Sequence, residues 1–242
     1  WWRAYPPGAR GSGRLPGWLD GVNSSGETNG LRECVMMDAD RATYLKKRYR
    51  RSQSILNRRE QRFVDAMLAQ VDGPLEQIID LPCGHGRFTP QLRRAASQRL
   101  VCADLRLEHI NALVGAEDEV GTPIETSQVD LYQQLPFADK EFNLVFNFRF
   151  FHHIRDDRHR QHVIAELSRI SGRYLIVSYY ANSTVHALQK RLWRRSGHTR
   201  DLPMISTSEF HRCFRQHGCE IIEDRAVLPG IHAHHITLMR RT

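Results

Sequence analysis

A chain of 242 residues is long enough for one sizeable hydrophobic core and too short for two full domains. Its 40% apolar and 26% charged residues are ordinary for a globular protein, and no apolar run reaches the ~20 residues that a membrane-spanning helix requires. The formal charge of +8 is concentrated near the N-terminus, while five scattered cysteines (34, 83, 102, 213 and 219) argue against a disulfide framework and for a reducing, cytoplasmic setting.

Residues 1–37 are rich in Gly, Pro and Ser, lack periodicity and hold three of the four tryptophans, which predicts a disordered or loosely attached extension. The stretch has no charged start followed by a continuous apolar core, as a secretory signal would. Met36-Met37-Asp38 reads as a natural start, which would make the preceding segment foreign to the fold. The folded domain is expected over 38–242. It opens with a basic helix over 38–71, with a possible break near Ser52–Ser54, whose Leu45, Tyr49, Leu56, Phe63 and Met67 share one face at helical spacing. Between Arg41 and Arg62 nine Lys or Arg residues stand against one acid, Glu60, so this segment carries the whole chain's excess charge. Such a face is either simply solvated or an attractor for phosphate, anionic lipid or an acidic substrate.

Apolar strand-like runs then alternate with helical patterns. Strands are predicted at 76–81, 99–104, 124–129, 142–148 and 173–180, with helices at 88–97, 107–115 and 157–170. This alternation specifies a parallel sheet covered by helices on both faces. Ser206-Thr207-Ser208-Glu209 is a capping-box pattern opening a helix over 206–217 that stops at Gly218. Two β-rich segments, 219–228 and 232–240, are joined through Pro229-Gly230, a connection suited to antiparallel neighbours.

The most informative run is Ile78-Ile79-Asp80-Leu81-Pro82-Cys83-Gly84-His85-Gly86. An apolar strand ends in a carboxylate and passes through two glycines into a helix start, the arrangement in which nucleotide-like cofactors are cradled. Asp104 ends the next apolar stretch, eighteen residues after Gly86, near the offset at which a second-strand carboxylate accepts hydrogen bonds from ribose hydroxyls; a solvent-exposed strand-end aspartate is the plainer alternative.

With these residues in view the chain resembles the class I S-adenosylmethionine-dependent methyltransferases, in particular the small-molecule branch that includes ubiquinone and menaquinone biosynthesis enzymes. The resemblance covers roughly Asp80 to Arg240. It rests on four landmarks in order: the Asp80–Gly86 loop, Val101-Cys102-Ala103-Asp104, Val129-Asp130 followed by Leu135–Phe142, and Asn147-Phe148-Arg149-Phe150-Phe151-His152-His153-Ile154. It implies a three-layer α/β Rossmann-like fold with a seven-stranded, mostly parallel sheet and an antiparallel C-terminal hairpin strand. It also implies that S-adenosyl-L-methionine lies against Gly84 and Gly86 beside Cys83, with Asp80 steadying the loop and the methionine amine. Asp104 with Leu105 would hold the ribose, Asp130 with the Leu131 backbone the adenine, and Asn147 with Phe148 the methionine amine.

The same resemblance places His153, with His152 beside it, at cofactor or substrate. Either imidazole is a candidate base for an acceptor hydroxyl, or a histidine bonded to backbone in the turn after strand four. Arg149 could pair with an acidic group of substrate or cofactor, or with Asp156 or Asp157. Tyr179, Tyr180 and Trp193 fall where the family builds its acceptor pocket, and 181–205 reads as a lid or insert. Between Asn182 and Arg200 stand Lys190, Arg191, Arg194, Arg195 and Arg200 without an acid.

The family's first loop glycine is replaced by Pro82, so that position neither takes positive φ nor donates a backbone hydrogen bond. A nicotinamide-dependent dehydrogenase is disfavoured by the same proline and by Thr89 near where its fingerprint needs a further glycine. The expected acceptor is small or lipid-like, with an anionic group as one option and peripheral contact to an anionic membrane as another. A cofactor-binding protein without catalysis, or a protein that uses its basic helices on nucleic acid, is the alternative; the latter is disfavoured by Asn147-Phe148-Arg149-Phe150, which lacks the Pro-Pro of base-amino methyltransferases. His232, His234 and His235 invite a metal site, but alternation along a strand sends His235 to the other face, and no metal is expected.

Overall fold

The computed structural model describes residues 51–111, 113, 121–182, 203–230 and 232–242. The expected extension, the first part of the basic helix and most of the 181–205 insert, with Trp193, lie outside the described residues.

The chain order is α1 (Arg51–Leu68), β1 (Leu75–Asp80), α2 (Thr89–Ala95), β2 (Ala96–Asp104), α3 (Leu107–Asn111), β3 (Ile124–Gln128), β4 (Phe142–Asn147), α4 (Asp157–Ile170), β5 (Ser171–Tyr180), α5 (Thr207–Gln216), β6 (Cys219–Leu228) and β7 (His232–Arg241). A short 3-10 turn, Phe151–His153, follows β4. The strands form one sheet in the order β3-β2-β1-β4-β5-β7-β6. The first five strands pair in parallel, and β7 runs antiparallel to both of its neighbours. This is the expected Rossmann-like architecture, and predicted boundaries fall within a few residues of the observed ones.

Near-continuous apolar burial on β1, β2, β4 and β5 follows from helices on both faces. One core lies under α4 and α5, built on Val163, Leu167, Phe210 and Phe214 against Ile79, Val145 and Val177. The other lies under α1 and α2, built on Val64, Met67 and Leu92 against Ile78, Phe146 and Ile236. Helix α4 starts at Asp156, whose side chain accepts from the His159 N–H at 3.0 Å, and α5 at Ser206, whose Oγ accepts from the Glu209 N–H at 3.2 Å. Each cap satisfies a donor that the helix leaves open, worth ~1 kcal/mol.

Parallel strands place every loop that follows a strand at one end of the sheet. Asp80, Asp104, Gln128 and Asn147 are the last residues of β1 to β4, so their tips lie side by side. The insert after β5 leaves from this same end, where its two ends meet in a bridge between Ala181 and Ile205. No helix among the described residues is long and apolar enough to cross a membrane.

Candidate active site

The loop after β1 turns through Gly84 (φ +54°) and Gly86 (φ +66°), conformations that glycine adopts without a Cβ penalty. A Cβ built on Gly84 would meet nothing within 4 Å, so the space over this loop is open to a ligand. The loop is tied to the neighbouring strand by the Cys83 N–H donating to the Ala103 carbonyl at 2.9 Å and the Gly84 N–H donating to Asp104 Oδ2 at 2.9 Å. Cys83 itself is buried, and hydrogen bonding with Cys102 together with burial pushes its thiol far above the ordinary range, which leaves it inert as a nucleophile.

Asp104 has three engagements. Besides Gly84 it accepts from the Arg106 N–H at 3.0 Å, and His109 Nδ1 stands 3.1 Å from its Oδ1. Burial opposes its charge, but these contacts outweigh burial and hold its carboxyl below the usual range. It therefore stays ionised and, as an acceptor-only group, suits a diol, while also fixing the loop. Beside it Leu105 is 45% exposed, an apolar surface at the strand tip suited to a flat ring. Asp130 accepts from the Tyr132 N–H at 2.9 Å in a local turn, and the Leu131 side chain is buried in the core.

Two acceptor groups at the tips of adjacent strands lack partners. Asp80 is 3% exposed, and its carboxyl finds no hydrogen-bond donor among the described residues; burial, then Cys102 and Asp104, raise its pKa well above the carboxylate range. Asn147 is fully buried; its Nδ2 donates to the Leu81 carbonyl at 2.6 Å, but its Oδ1 accepts nothing. A buried acceptor left unmade costs about 1–3 kcal/mol, so Asn147 Oδ1 is a built demand for a donor, and a cation at these tips would restore the charge on Asp80. The expected cofactor set thus has a physical fit to S-adenosylmethionine: a cation-accepting pair, an open glycine loop and an ionised carboxylate beside an exposed leucine. Asp104→Ala is expected to weaken S-adenosylhomocysteine binding by about 1.5–3 kcal/mol, read by calorimetry on the folded variant, because the diol loses its acceptor and the loop its tether.

Above this loop lies a cluster centred on Glu60, the one acid in the basic run. It is completely buried on α1, one turn from Val64. Its carboxylate receives Arg87 from the loop after β1, Arg149 from the loop after β4 at 2.6 Å, and His234 Nδ1 from β7 at 2.8 Å. Burial alone would raise the Glu60 carboxyl; the hydrogen bond from His234 and the charges of Arg149 and Arg87 override it and hold the group ionised far below its ordinary range. His234 is pushed the other way, down to about 4, by burial and by Arg149 and His232 against the pull of Glu60. Arg149 adopts φ +56°, and its N–H donates to Ser178 Oγ at 2.7 Å. A non-glycine residue pays roughly 1–2 kcal/mol for this conformation, here spent on aiming the guanidinium at Glu60. Arg149 does not pair with Asp156, which caps α4, or with Asp157, which pairs with Arg160.

The cluster predicts acid lability. The unfolded chain protonates His234 near its ordinary pKa of 6.5, whereas the folded chain resists until about 4, so stability present at pH 7 declines as pH falls through this window. Glu60, depressed in the fold, adds a further loss below its ordinary 4.5. Urea unfolding at pH 7 and pH 4.5 is expected to show an acid loss about 2 kcal/mol smaller in His234→Gln than in the parent chain.

Aromatic rings complete this end of the sheet. Tyr180 stacks on His152 at 4.7 Å and lies edge-on to His234 at 5.2 Å; Phe148 meets the same histidine edge-on at 5.3 Å. His153 is exposed, its ring 4.0 Å from that of His152. Tyr179 corrects the expectation of a pocket residue. Strand alternation turns it to the opposite face, where it is buried against Phe210 and its hydroxyl donates to Asp224 Oδ2 at 2.9 Å. His235 follows it to that face and also binds Asp224. His232 and His234 share the site face, as alternation predicts. Between α1 and α2 a hollow of about 350 Å³ is lined by Arg58, Arg62, Arg87 and Arg94 with Asp65.

Comparison with known proteins bears on this geometry. Residues 78–171 match the family model of a methyltransferase domain. The fold is that of the class I methyltransferases. Magnesium protoporphyrin IX methyltransferase from Synechocystis, crystallised with bound S-adenosylhomocysteine, is 16% identical at a TM-score of 0.67, covering 87% of this chain and 100% of its own. A S-adenosylmethionine-dependent methyltransferase from Methanosarcina mazei is 16% identical at a TM-score of 0.58, covering 70% of this chain and 93% of its own. A 4+2 cyclase, 15% identical at a TM-score of 0.56 over 75% of this chain and 80% of its own, shares the methyltransferase fold as well. Comparison with curated protein sequences gave no significant match.

Within this fold, sequence reasoning missed the cluster that joins Glu60 to Arg87, Arg149 and His234. The signal for Glu60 was its isolation among nine cations, and for Arg87 its place directly after the glycine loop.

Proposed function

We propose that the chain is an S-adenosylmethionine-dependent methyltransferase acting on a small-molecule or lipid-like acceptor, of the kind suggested by its resemblance to the ubiquinone and menaquinone branch. The observation that supports this reading most is the unpartnered buried acceptor Asn147 Oδ1, next to the buried Asp80 carboxyl on the adjacent strand tip and an open glycine loop. S-adenosylmethionine, when bound, supplies a methyl group on a positively charged sulfur.

The chain's own residues bind and orient. Asp80 and Asn147 would accept from the methionine ammonium, Asp104 would accept from the ribose diol, and Asp130 with the Leu131 backbone would take the adenine edge. Orientation of this kind can supply about 7–11 kcal/mol of a bimolecular barrier. On the acceptor side, Tyr180 and His152 stack as neighbouring rings. The arginine-lined hollow between α1 and α2 favours an acceptor with an anionic group.

Because a cyclase shares the fold, the product and not the fold decides the reaction. Extract from cells lacking the protein, incubated with the purified chain and S-adenosylmethionine carrying a tritiated methyl group, is expected to yield label in an organic-extractable small molecule. Label confined to nucleic acid would overturn the acceptor class, and no transfer at all would leave the cyclase-like or non-catalytic alternatives in its place.

A further inference from the structure

The hollow of about 350 Å³ between α1 and α2 is framed by two ties. At one, Arg87 Nε donates to Asn57 Oδ1 at 2.8 Å and its terminal nitrogen reaches Glu60, which fastens the loop after β1 to α1. At the other, Gln91 Nε2 donates to Asp65 Oδ1 at 2.7 Å and to the Gln61 carbonyl at 3.2 Å, which fastens α2 to α1. The same hollow is lined by Arg58 and Arg62 from α1 and Arg94 from α2, all exposed and without a hydrogen bond or ion pair among the described residues. Arg59 is directed elsewhere and lies over the Phe63 ring. Arg99, Arg160 and Arg240, by contrast, each face an acid. Arg58 and Arg62 are four residues apart, the spacing at which like charges on a helix repel.

We propose that this hollow binds a phosphate monoester, held from one side by the guanidiniums of Arg58 and Arg62 and from the other by that of Arg94. The proposal rests on the anionic-acceptor reading and deepens it by naming the group. Arg87 is set aside as the partner of Glu60; the three remaining arginines against one acid, Asp65, leave a surplus of two positive charges. A phosphate monoester carries close to two negative charges at neutral pH, its second pKa being ~6, whereas a diester carries one. The planar guanidinium offers paired N–H donors that match phosphate oxygens. An anion seated here removes the repulsion between Arg58 and Arg62, and it meets walls that the two ties have already ordered, so little further ordering is needed on binding. The hollow adjoins the cofactor loop, because Arg87 in its wall directly follows Gly86.

The test is phosphorus NMR of glycerol 3-phosphate titrated with the full-length chain at constant salt, with dimethyl phosphate as the singly charged diester. The monoester resonance is expected to shift saturably and the diester to respond far more weakly. The double variant Arg58→Gln with Arg62→Gln is expected to weaken monoester binding by at least ~10-fold, as the loss of charge-assisted hydrogen bonds implies. Arg212→Gln with Arg215→Gln removes the same charge from α5, on the other face of the sheet, and is expected to leave the affinity unchanged. No saturable response, or equal losses in the two double variants, would overturn the site. An equal response to the diester would overturn it in favour of a nucleic-acid backbone. Sedimentation with vesicles of phosphatidylcholine carrying phosphatidic acid assigns the source: retention that fails in the α1 variant places the monoester on a lipid, and no retention places it on a soluble molecule, both in support of the site. Calorimetry with S-adenosylhomocysteine on each variant reports the cofactor site separately, so that failure of one reading is distinguishable from failure of the other.

Discussion

Replacing Glu60 by alanine is expected to lower the free energy of unfolding by about 3–5 kcal/mol, the range seen when one partner of a buried ion pair is removed. The loss arises because Arg87 and Arg149 keep their charges while their common counter-ion disappears, and because the Nδ1–H of His234 loses its acceptor. Glu60 is fully enclosed, so water cannot replace the carboxylate without opening the packing of α1. For a chain of this size the change corresponds to a fall of roughly 10 °C in Tm. Arg149→Ala should cost less, because the Arg149 side chain is 26% exposed, so water reaches the place it leaves. Chemical denaturation of the two variants checks the order. A loss under 1 kcal/mol for Glu60→Ala would show that α1 does not dock through this cluster in solution.

Gly84→Val is expected to weaken S-adenosylhomocysteine binding by at least about 100-fold, which corresponds to ~2.7 kcal/mol. The residue sits at φ +54°, where a branched side chain is strained, and its missing Cβ faces open space that the ligand is to occupy. Strain and blocking are separable by a control. Gly230, in the turn between β6 and β7, has φ +74° and equally nothing within 4 Å of a built Cβ. Gly230→Val should therefore carry a similar stability cost and leave binding unchanged. Calorimetry on both variants decides: equal binding losses would attribute the effect to general destabilisation, and an unaffected Gly84→Val would move the ligand away from this loop.

The sheet was legible because each parallel strand is buried on both faces and so reads as an unbroken apolar run between turn signals, as at Leu100–Ala103 and Leu144–Phe146. Helix caps at Asp156 and Ser206 are local chemistry, visible in the residues themselves. The glycine loop and Asp104 were legible for the same reason: a backbone requirement and a strand-end acceptor leave fixed marks.

The Glu60 cluster was not legible, because its members come from α1, two loops and β7, and nothing in the spacing of residues 60, 87, 149 and 234 brings them together. Amphipathic reading even misplaces Glu60, since an acid on the buried face of a helix interrupts the apolar pattern that periodicity seeks. The partner of Arg149 was sought among nearby acids and found 89 residues earlier. Tyr179 and Tyr180 show a further limit. Alternation guarantees that they face opposite sides, but the side that meets the site depends on which face α1 covers.

The account depends on one binding event at the tips of β1, β2 and β4. Isothermal titration of S-adenosylhomocysteine into the full-length chain tests it most directly. One site per chain is expected, with affinity lost in Gly84→Val and retained in Gly230→Val. No binding by a folded chain, or binding indifferent to Gly84, would contradict the placement of the cofactor and with it the proposed methyl transfer.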